Sequence, residues 1–330
     1  MTEPTSVRAI FELASAHAAA RVLHVVAELG VADHIDEMAR TSADIAAAAG
    51  LNPDALDRVL GLLATYGLFR RDGSGGWLHT ELSRRLRSDD PRSLRSFVRM
   101  SGSGFCWGSV TELEHSLRTG RSGITRLHAG GPWAYLAAHP EQADIFQQAM
   151  TDKSHGDIAI ALSAYDFSRH RRIADVGGGS GHLVKALLEK YPDTSGVLFD
   201  LPQVTANVAP TSRLDVVGGD FFVDPFPVCD AYVLMNIVHD WDDPEAAAIL
   251  SAAAEAGRSR AATVLVIEAI MPEGGEDRWP RMLDVLMLAV TGGRERTVAE
   301  YETLLTRAGL TLVQVHTTTT PLVVIEAEAK

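Results

Sequence analysis

Short apolar runs alternate with helix-like segments throughout the second half of the chain. The runs lie at residues 173–176, 197–199, 215–217, 231–238 and 264–267. This alternation is typical of a mostly parallel sheet covered by helices on both faces. Two further runs, 310–315 and 322–325, are separated by a turn too short for a parallel crossover, so they must pair antiparallel. The pattern predicts an α/β domain with a seven-stranded sheet over residues 165–330.

The first ninety residues have a different pattern, of helices followed by a hairpin. Apolar residues recur at helical spacing from Val7 to about Leu29, and Gly30 can end this helix. Two shorter helices follow within residues 41–66, with Asn52 as a cap. Residues 68–80 then alternate around a glycine-rich tip. These elements predict a winged helix-turn-helix in residues 1–90.

A winged helix can bind DNA through its second helix, which lies in the major groove. Here that helix, 53–66, carries only Asp54, Asp57 and Arg58 as charged residues, a net charge of −1. The whole chain carries −13, whereas nucleic-acid affinity requires many neutralised phosphates. We expect a packing or dimerisation module and no nucleic-acid partner, with a ligand-sensing transcription regulator as the alternative.

Residues 91–164 have a helical pattern broken by glycine and proline, and they contain many aromatic and methionine side chains. Trp107, Phe146 and Met150 are candidates for a substrate pocket. Ordinary core packing explains such side chains equally well. The region is therefore predicted to be a helical linker that contributes to a pocket.

Composition indicates a globular protein that acts on small molecules. The 330 residues are 46% hydrophobic and 22% charged, with only two cysteines. No run of 18 apolar residues occurs, and the first thirty residues lack the apolar core of a signal peptide. We expect a cytoplasmic protein with neither a membrane span nor a disulfide framework.

The segment Arg172–His182 carries the most specific motif, a strand that runs into a glycine cluster and then into a helix. A dinucleotide fingerprint starting at Gly177 would need glycine at the position of His182. No Gly-Lys-Ser/Thr follows, which excludes a phosphate-gripping P-loop. The remaining pattern, Asp-Val-Gly-x-Gly-x-Gly, resembles the first loop of Rossmann-like methyltransferases that depend on S-adenosylmethionine (SAM).

Acidic residues follow the next two strands. Asp200 ends the second strand, where a carboxylate can accept hydrogen bonds from both ribose hydroxyls, although a helix N-cap is the alternative role. Asp220 and Phe221 follow the third strand and could contact an adenine ring, or could belong to a loop and the core. Their positions after successive strands favour an adenosyl site.

His239 lies at the C-terminal edge of the fourth predicted strand, where ligands bind in open α/β sheets. Its ordinary pKa near 6.5 would let it accept a proton at neutral pH. Glu268 ends the fifth strand, and Glu295 precedes the last helix, so both carboxylates could approach the same cleft. A carboxylate that accepts one ring N–H fixes the histidine tautomer. From the residues alone, a structural role for this triad is equally open.

The motifs occur in the order seen in small-molecule O-methyltransferases of the caffeic acid type and their bacterial secondary-metabolite relatives. The chain resembles this family over nearly its whole length in the following segments: 175–181, 199–202, 219–222, 239–243 and 292–297. The resemblance implies a Rossmann-like class I methyltransferase domain at 165–330, a helical segment at 91–164 and a winged-helix dimerisation domain at 1–90. It also implies an intertwined homodimer.

The resemblance implies roles for individual residues. His239 would be the general base, flanked by Glu268 and Glu295, and Met150 and Met287 would flank the acceptor ring. The implied cofactor contacts are Asp175, Gly177, Gly179, Asp200, Leu201, Asp220, Phe221, Met235, Asn236 and Trp241. Plant members usually carry a lysine where this chain has Met235, so a polar cofactor contact could be missing or supplied by Asn236.

The implied reaction is methyl transfer from SAM to a hydroxyl of an aromatic or polyketide-type molecule, with S-adenosylhomocysteine (SAH) as product and no metal. Methylation of nitrogen or carbon, or a diverged reaction without methyl transfer, is the alternative within the same family. The sequence does not name the acceptor.

Overall fold

The structure is a computed structural model that describes residues 7–274 and 278–329. Residues 1–6, 275–277 and 330, which belong to the predicted segments 1–90 and 165–330, lie outside the described residues. The chain divides into two compact units. The first contains residues up to Trp107 together with His139–Lys153, and the second contains Gly108–Ala138 and the residues from Ser154 onward. The segment boundaries at 90 and 164 stay predictions.

The first unit contains the helices and hairpin expected from the N-terminal pattern. The elements are α1 (Val7–Glu28), α2 (Ser42–Ala49), α3 (Pro53–Ala64), β1 (Arg70–Arg71), β2 (Trp77–Leu78), α4 (Glu81–Arg84) and α5 (Arg95–Ser101). Asn52 caps α3 by accepting a hydrogen bond from the Ala55 amide at 3.0 Å. Trp77, only 1% exposed, anchors the hairpin in a core shared with α2 and α3.

The long N-terminal helix α1 leaves much of its apolar surface uncovered. Ile10, Phe11 and Leu13 are 70%, 68% and 78% exposed. By length and composition alone α1 could cross a membrane, a test that core helices of soluble proteins and signal sequences also pass. This finding neither confirms nor contradicts the expectation of no membrane span, which stays a prediction.

Five helices follow, in agreement with the helical pattern of the middle of the chain. They are α6 (Cys106–Thr111), α7 (Leu113–Thr119), α8 (Ile124–Leu127), α9 (Gly131–Ala138) and α10 (Pro140–Ala164). Residues of α6 and α10 fall in both compact units.

The second unit contains the predicted seven-stranded sheet. Its strands are β3 (Arg172–Val176), β4 (Ser195–Asp200), β5 (Leu214–Gly218), β6 (Ala231–Met235), β7 (Thr263–Ala269), β8 (Leu310–Thr317) and β9 (Leu322–Ala329). The order is β5-β4-β3-β6-β7-β9-β8. β9 pairs antiparallel with both β7 and β8, and the other pairs are parallel, as predicted.

Helices cover both faces of this sheet. The helices in this part of the chain are α11 (His182–Lys190), α12 (Pro202–Thr205), α13 (Asp243–Gly257), α14 (Arg278–Val290) and α15 (Val298–Arg307), of which α13 and α15 share one buried cluster with the strands and α11 shares another. Along β6, Tyr232 and Val233 are fully buried in different hydrophobic clusters, because successive side chains of a strand point to opposite faces. The chain order reverses between β3 and β6, so a crevice is expected at the C-terminal ends of these strands.

The fourth strand of the sheet is shorter than the apolar run suggested. β6 ends at Met235 rather than Val238, and Asn236 adopts a left-handed conformation with a φ of 55°. A 3-10 turn, Val238–Asp240, follows. The apolar run continues past this end, so composition did not reveal it. Beyond Met235, the amides of Ile237 and His239 donate to the buried carboxylate of Glu268 instead of to a neighbouring strand.

Candidate active site

The glycine loop between β3 and α11 has a backbone that only glycine adopts easily. Gly177, Gly179 and Gly181 have φ values of 68°, 59° and 75°. A Cβ on Gly177 would lie 2.5 Å from Cδ1 of Ile237, which precedes the Val238–Asp240 turn. The loop therefore lies against the segment that carries His239, and the start of α11 offers backbone amides there.

Asp175 lies beneath this loop and supports it. The residue is 1% exposed, and its Oδ2 accepts a hydrogen bond from the Val184 amide at 3.1 Å. Burial raises the pKa of its carboxyl to about 7. The structure thus gives Asp175, predicted as a cofactor contact, a role in holding the loop to α11.

Asp200 binds the loop from the end of β4. Its Oδ2 accepts a hydrogen bond from the Gly179 amide at 2.8 Å, and its Oδ1 accepts one from the Leu201 amide at 2.7 Å. Burial raises the pKa of this carboxyl. Each carboxylate oxygen has a second lone pair, so Asp200 can still accept hydrogen bonds from a diol.

Aromatic rings gather beyond the ends of β5 and β6. Trp241 lies 5.5 Å from Phe221, 4.7 Å from Phe222 and 6.0 Å from Trp133 of α9, measured between ring centroids. Asp220 precedes the pair, and its Oδ1 accepts a hydrogen bond from the Phe222 amide at 2.9 Å. Sequence reasoning assigned no role to Phe222, which ends the 219–222 motif, or to Trp133, which lies outside the motifs.

Met235 is the last residue of β6, and Asn236 follows it directly. The Asn236 amide donates a hydrogen bond to the carbonyl of Ile267 at 3.0 Å, so the strand bends away immediately after its last sheet contact. Both residues are half-buried at the C-terminal edge of the sheet. The structure therefore brings them to the edge where the glycine loop also lies.

His239 is buried in the turn, 7% exposed, and contacts Glu295. The distance between His239 Nδ1 and Glu295 Oε1 is 2.8 Å. Because this hydrogen bond engages Nδ1, it favours Nε2 as the nitrogen that accepts a proton. Glu295 is itself 3% exposed, and its Oε2 has no hydrogen-bond partner among the described residues.

Glu268 acts on the backbone of this turn rather than on the histidine ring. Its Oε1 accepts hydrogen bonds from the amides of Ile237 at 3.1 Å and His239 at 3.0 Å. Its Oε2 accepts a hydrogen bond from the hydroxyl of Tyr301, which is fully buried on α15. The two predicted flanking carboxylates therefore differ, since Glu295 binds the ring and Glu268 fixes the turn.

The environment of His239 has opposing effects on its pKa. Burial lowers the pKa, but the negative charges of Glu268, Glu295 and Asp240 raise it more, to about 9. The imidazolium is therefore stabilised in this site. Once His239 has accepted a proton, the neighbouring negative charges therefore disfavour its release.

The segment Gly292–Arg296 lies directly against the turn. A Cβ on Gly293 would overlap the carbonyl oxygen of His239, and the Arg294 amide donates a hydrogen bond to that oxygen at 2.9 Å. The motif around Glu295 was recognised in the sequence, but the close approach at Gly293 was not. Only glycine permits it, which is the physical reason for a glycine at this position.

The residues predicted to line the acceptor pocket are divided between the two units. Trp107, Phe146 and Met150 belong to the first unit. There, Trp107 packs against His24 and Phe146 packs against Phe105, with ring centroids 5.3 and 5.5 Å apart. Met287 is half-buried on α14 in the second unit. Their common pocket stays a prediction.

Two family models match the chain. Residues 110–311 match the O-methyltransferase domain, and residues 11–89 match the O-methyltransferase dimerisation domain. The first range contains strands β3 to β7 of the sheet with their C-terminal ends, and the second contains most of α1 together with α2, α3, the β1–β2 hairpin and α4. The class I methyltransferase fold with an N-terminal dimerisation domain, expected from the resemblance, is confirmed.

Individual relatives match over nearly the full chain. The 2,7-dihydroxy-5-methyl-1-naphthoate 7-O-methyltransferase of Streptomyces carzinostaticus is 39% identical over 94% of this chain and 93% of its own length. The 8-amino-8-demethylriboflavin N,N-dimethyltransferase of Streptomyces davaonensis is 34% identical over 89% and 87%. An O-methyltransferase from neocarzinostatin biosynthesis, solved with SAM and 2-hydroxy-5-methyl naphthoic acid, is 35% identical, with a TM-score of 0.83 and complete coverage of both chains.

Proposed function

The chain belongs to the O-methyltransferase family, and on that basis we propose that it methylates a hydroxyl of an aromatic or polyketide-type small molecule, using SAM and releasing SAH. The observation that carries the proposal is the buried His239–Glu295 pair, held in a turn that lies against the glycine loop. A buried histidine next to a loop shaped for close ligand approach supports the proposal of a base at this position. We assign the reaction to secondary metabolism in the cytoplasm.

The residues at the cleft fit SAM. Asp200 would hold the ribose hydroxyls, and the aromatic rings of Phe221 and Trp241 with the Asp220 carboxylate would hold the adenine. Gly177 would face the methionine portion, with Met235 and Asn236 nearby. SAM carries no phosphate, which agrees with a glycine loop that lacks a phosphate-gripping lysine. When bound, SAM supplies an electrophilic methyl group on a sulfonium.

In the proposed mechanism His239 would remove the proton of the acceptor hydroxyl through Nε2 as that oxygen takes the methyl group from the sulfonium, whose methyl–sulfur bond breaks to leave the neutral thioether of SAH. Glu295 keeps the proton of the neutral imidazole on Nδ1 and stabilises the imidazolium as it forms. A phenol with a pKa near 10 is mostly neutral at physiological pH, so a base at this position is useful. Glu268 acts indirectly, by fixing the backbone of the turn.

We expect the rate to increase with pH up to about 9, because protonated His239 cannot accept a proton. Glu295→Gln removes one of the negative charges that raise the pKa of His239. In that variant the midpoint of the pH profile should shift to lower pH, while the maximal rate decreases. The measurement is kcat/KM for one phenolic acceptor at saturating SAM across pH.

Ionisation of the acceptor affects both proteins equally, so the comparison between wild type and Glu295→Gln isolates the histidine. An NMR titration of His239 in each protein gives the same shift without turnover. Identical midpoints in the two proteins would contradict the assignment of the increase in rate with pH to deprotonation of His239.

The reaction class is tested by incubating the protein with methyl-labelled SAM and a panel of phenols, aminophenols and polyketides. Mass spectrometry and NMR of the products locate the label. We expect the label on oxygen. A methyl group on nitrogen or carbon would overturn the proposal of O-methylation.

N-methylation is the second candidate, and the 34% identity to an N,N-dimethyltransferase over most of both chains favours it as the alternative. Aminophenols distinguish the two reactions, because both nucleophiles are present in one molecule. The buried His239–Glu295 pair supports the hydroxyl acceptor, since a neutral amine does not need its proton removed before attack.

We further propose that the chain functions as a homodimer through its N-terminal region. The dimerisation-domain model covers residues 11–89, and the exposed apolar residues of α1 would be covered by a second copy. A dimerisation role for residues 11–89 also favours protein packing over DNA binding by the N-terminal helices and the β1–β2 hairpin. Light scattering should give a mass twice the chain's 35.5 kDa.

A further inference from the structure

We propose that Arg296 is a positioning residue of the reaction. It holds the Val238–Asp240 turn, which carries His239, and the neighbouring residue Trp241 in one fixed arrangement. The inference rests on the proposed function of His239. Arg296 was not among the residues singled out in the sequence. It follows Glu295 directly, but its side chain contacts different atoms.

A single guanidinium group spans both ends of the turn. Its Nη1 donates a hydrogen bond to the carbonyl oxygen of Val238 at 3.1 Å, and its Nη2 donates one to the carbonyl oxygen of Trp241 at 2.9 Å. His239 lies between these two carbonyls in the chain. Arg296 thus fixes the backbone on either side of the histidine.

Asp243 holds the guanidinium in turn. Nε and Nη2 of Arg296 donate to Asp243 Oδ1 at 3.0 and 2.9 Å. The Arg296 side chain is 1% exposed, so its charge needs such a partner. Asp243 begins α13 and is partly exposed, which connects the buried cation to a rigid helix.

Glu268 and Arg296 act on opposite polar groups of the same turn. Glu268 accepts from the amides of Ile237 and His239, whereas Arg296 donates to the carbonyls of Val238 and Trp241. A buried anion and a buried cation therefore leave the turn little freedom to rotate. The ring of His239 and the ring of Trp241 project from this one segment, so Arg296 couples the base to the proposed cofactor cleft.

Lysine cannot reproduce this arrangement, although it keeps the charge. A planar guanidinium presents several N–H groups in a fixed fork, while an ammonium is a point charge on a flexible stem. Arg296 uses the fork to reach the carbonyls of Val238 and Trp241, that of Arg294 and a carboxylate at once. A role that needed only positive charge would survive the substitution.

In Arg296→Lys we expect kcat to decrease about 10–100-fold, because small displacements of reacting groups have effects of this size. The KM for the acceptor should change much less. The midpoint of the pH profile should shift to lower pH, because a displaced turn weakens the contact between His239 and Glu295. Circular dichroism and thermal unfolding establish that the variant is folded.

Arg307→Lys is the matched control, since Arg307 also pairs with Asp243, at 3.7 Å, but is 58% exposed. It should retain wild-type kcat and pH midpoint. A folded Arg296→Lys variant with unchanged kcat and midpoint would overturn the proposal. An equal loss of kcat in Arg307→Lys would also overturn it, because the loss in Arg296→Lys would then be explained by the charge of Asp243 alone.

If Arg296→Lys does not fold, the same measurements on Asp243→Asn test the positioning role of Arg296. It leaves the arginine in place but removes the charge that orients it, so a smaller loss of kcat and a smaller shift in the same direction are expected. Wild-type values in this variant would overturn the proposal. The NMR titration of His239 needs no acceptor, so it separates failure of the positioning role from failure of the methyltransferase assignment.

Discussion

Replacing His239 with alanine is expected to reduce kcat about 10²–10⁴-fold, the usual contribution of a general base. SAM affinity should remain close to that of the wild type. The reason is structural, since His239 contacts Glu295, while the glycine loop, Asp200 and the aromatic rings form the proposed cofactor cleft. Turnover at saturating SAM and calorimetric titration with SAM measure the two quantities separately.

Alanine also leaves the buried Glu295 carboxylate without its ring partner, which can destabilise the fold. His239→Gln is therefore the companion variant, because its amide can still donate to Glu295 but cannot accept a proton from a phenol. In both variants kcat should decrease while the affinity for SAM stays close to that of the wild type. A comparable loss of both quantities would remove His239 from the role of base.

Gly293→Ala is expected to have the second large effect, on stability and turnover together. The added methyl would overlap the carbonyl oxygen of His239 and lie 2.7 Å from the amide nitrogen of Trp241. These are backbone atoms in a turn held by buried groups, so they cannot move away cheaply. Overpacking typically costs about 1–3 kcal/mol of folding free energy. Displacement of the turn should lower kcat about 10²-fold.

Gly156→Ala is the matched control for this substitution. Gly156 lies within α10, and outside the nearby backbone of that helix no atom of the described residues lies within 4 Å of its Cβ position. The alanine there should raise stability by about 0.4–1 kcal/mol, because it reduces the entropy of the unfolded chain. Chemical denaturation of both variants gives the comparison. Wild-type stability and turnover in Gly293→Ala would show that the turn is not rigid.

The sheet and the glycine loop could be predicted because both have local signatures. Buried strands such as β7 appear as apolar runs, and the positive φ of Gly177 requires glycine in the sequence. The turn after β6 has no such signature. Its geometry depends on Glu268, about thirty residues later in the chain, and that carboxylate binds backbone atoms that every residue possesses.

The same reason explains why Arg296 and Tyr301 were missed. Each acts through contacts with distant segments, namely the carbonyls of the turn and the carboxylate of Glu268. No spacing or periodicity in the sequence encodes such contacts. The order of the elements and the family motif both suggested that Glu295 lies near His239, and the structure brings the two side chains together, while their catalytic role stays a prediction. The resemblance did not distinguish a carboxylate that binds the ring from one that binds the backbone.

The central claim is that His239 removes the proton from a hydroxyl during methyl transfer. Single-turnover rates of the SAM-bound wild type and His239→Gln, measured at one pH with ring-substituted phenols of increasing acidity, test it most directly. A base is needed for weakly acidic hydroxyls and is superfluous for hydroxyls that are already ionised. The ratio of the two rates should therefore fall towards one as the phenols become more acidic. A ratio that stays constant across the series would contradict the account.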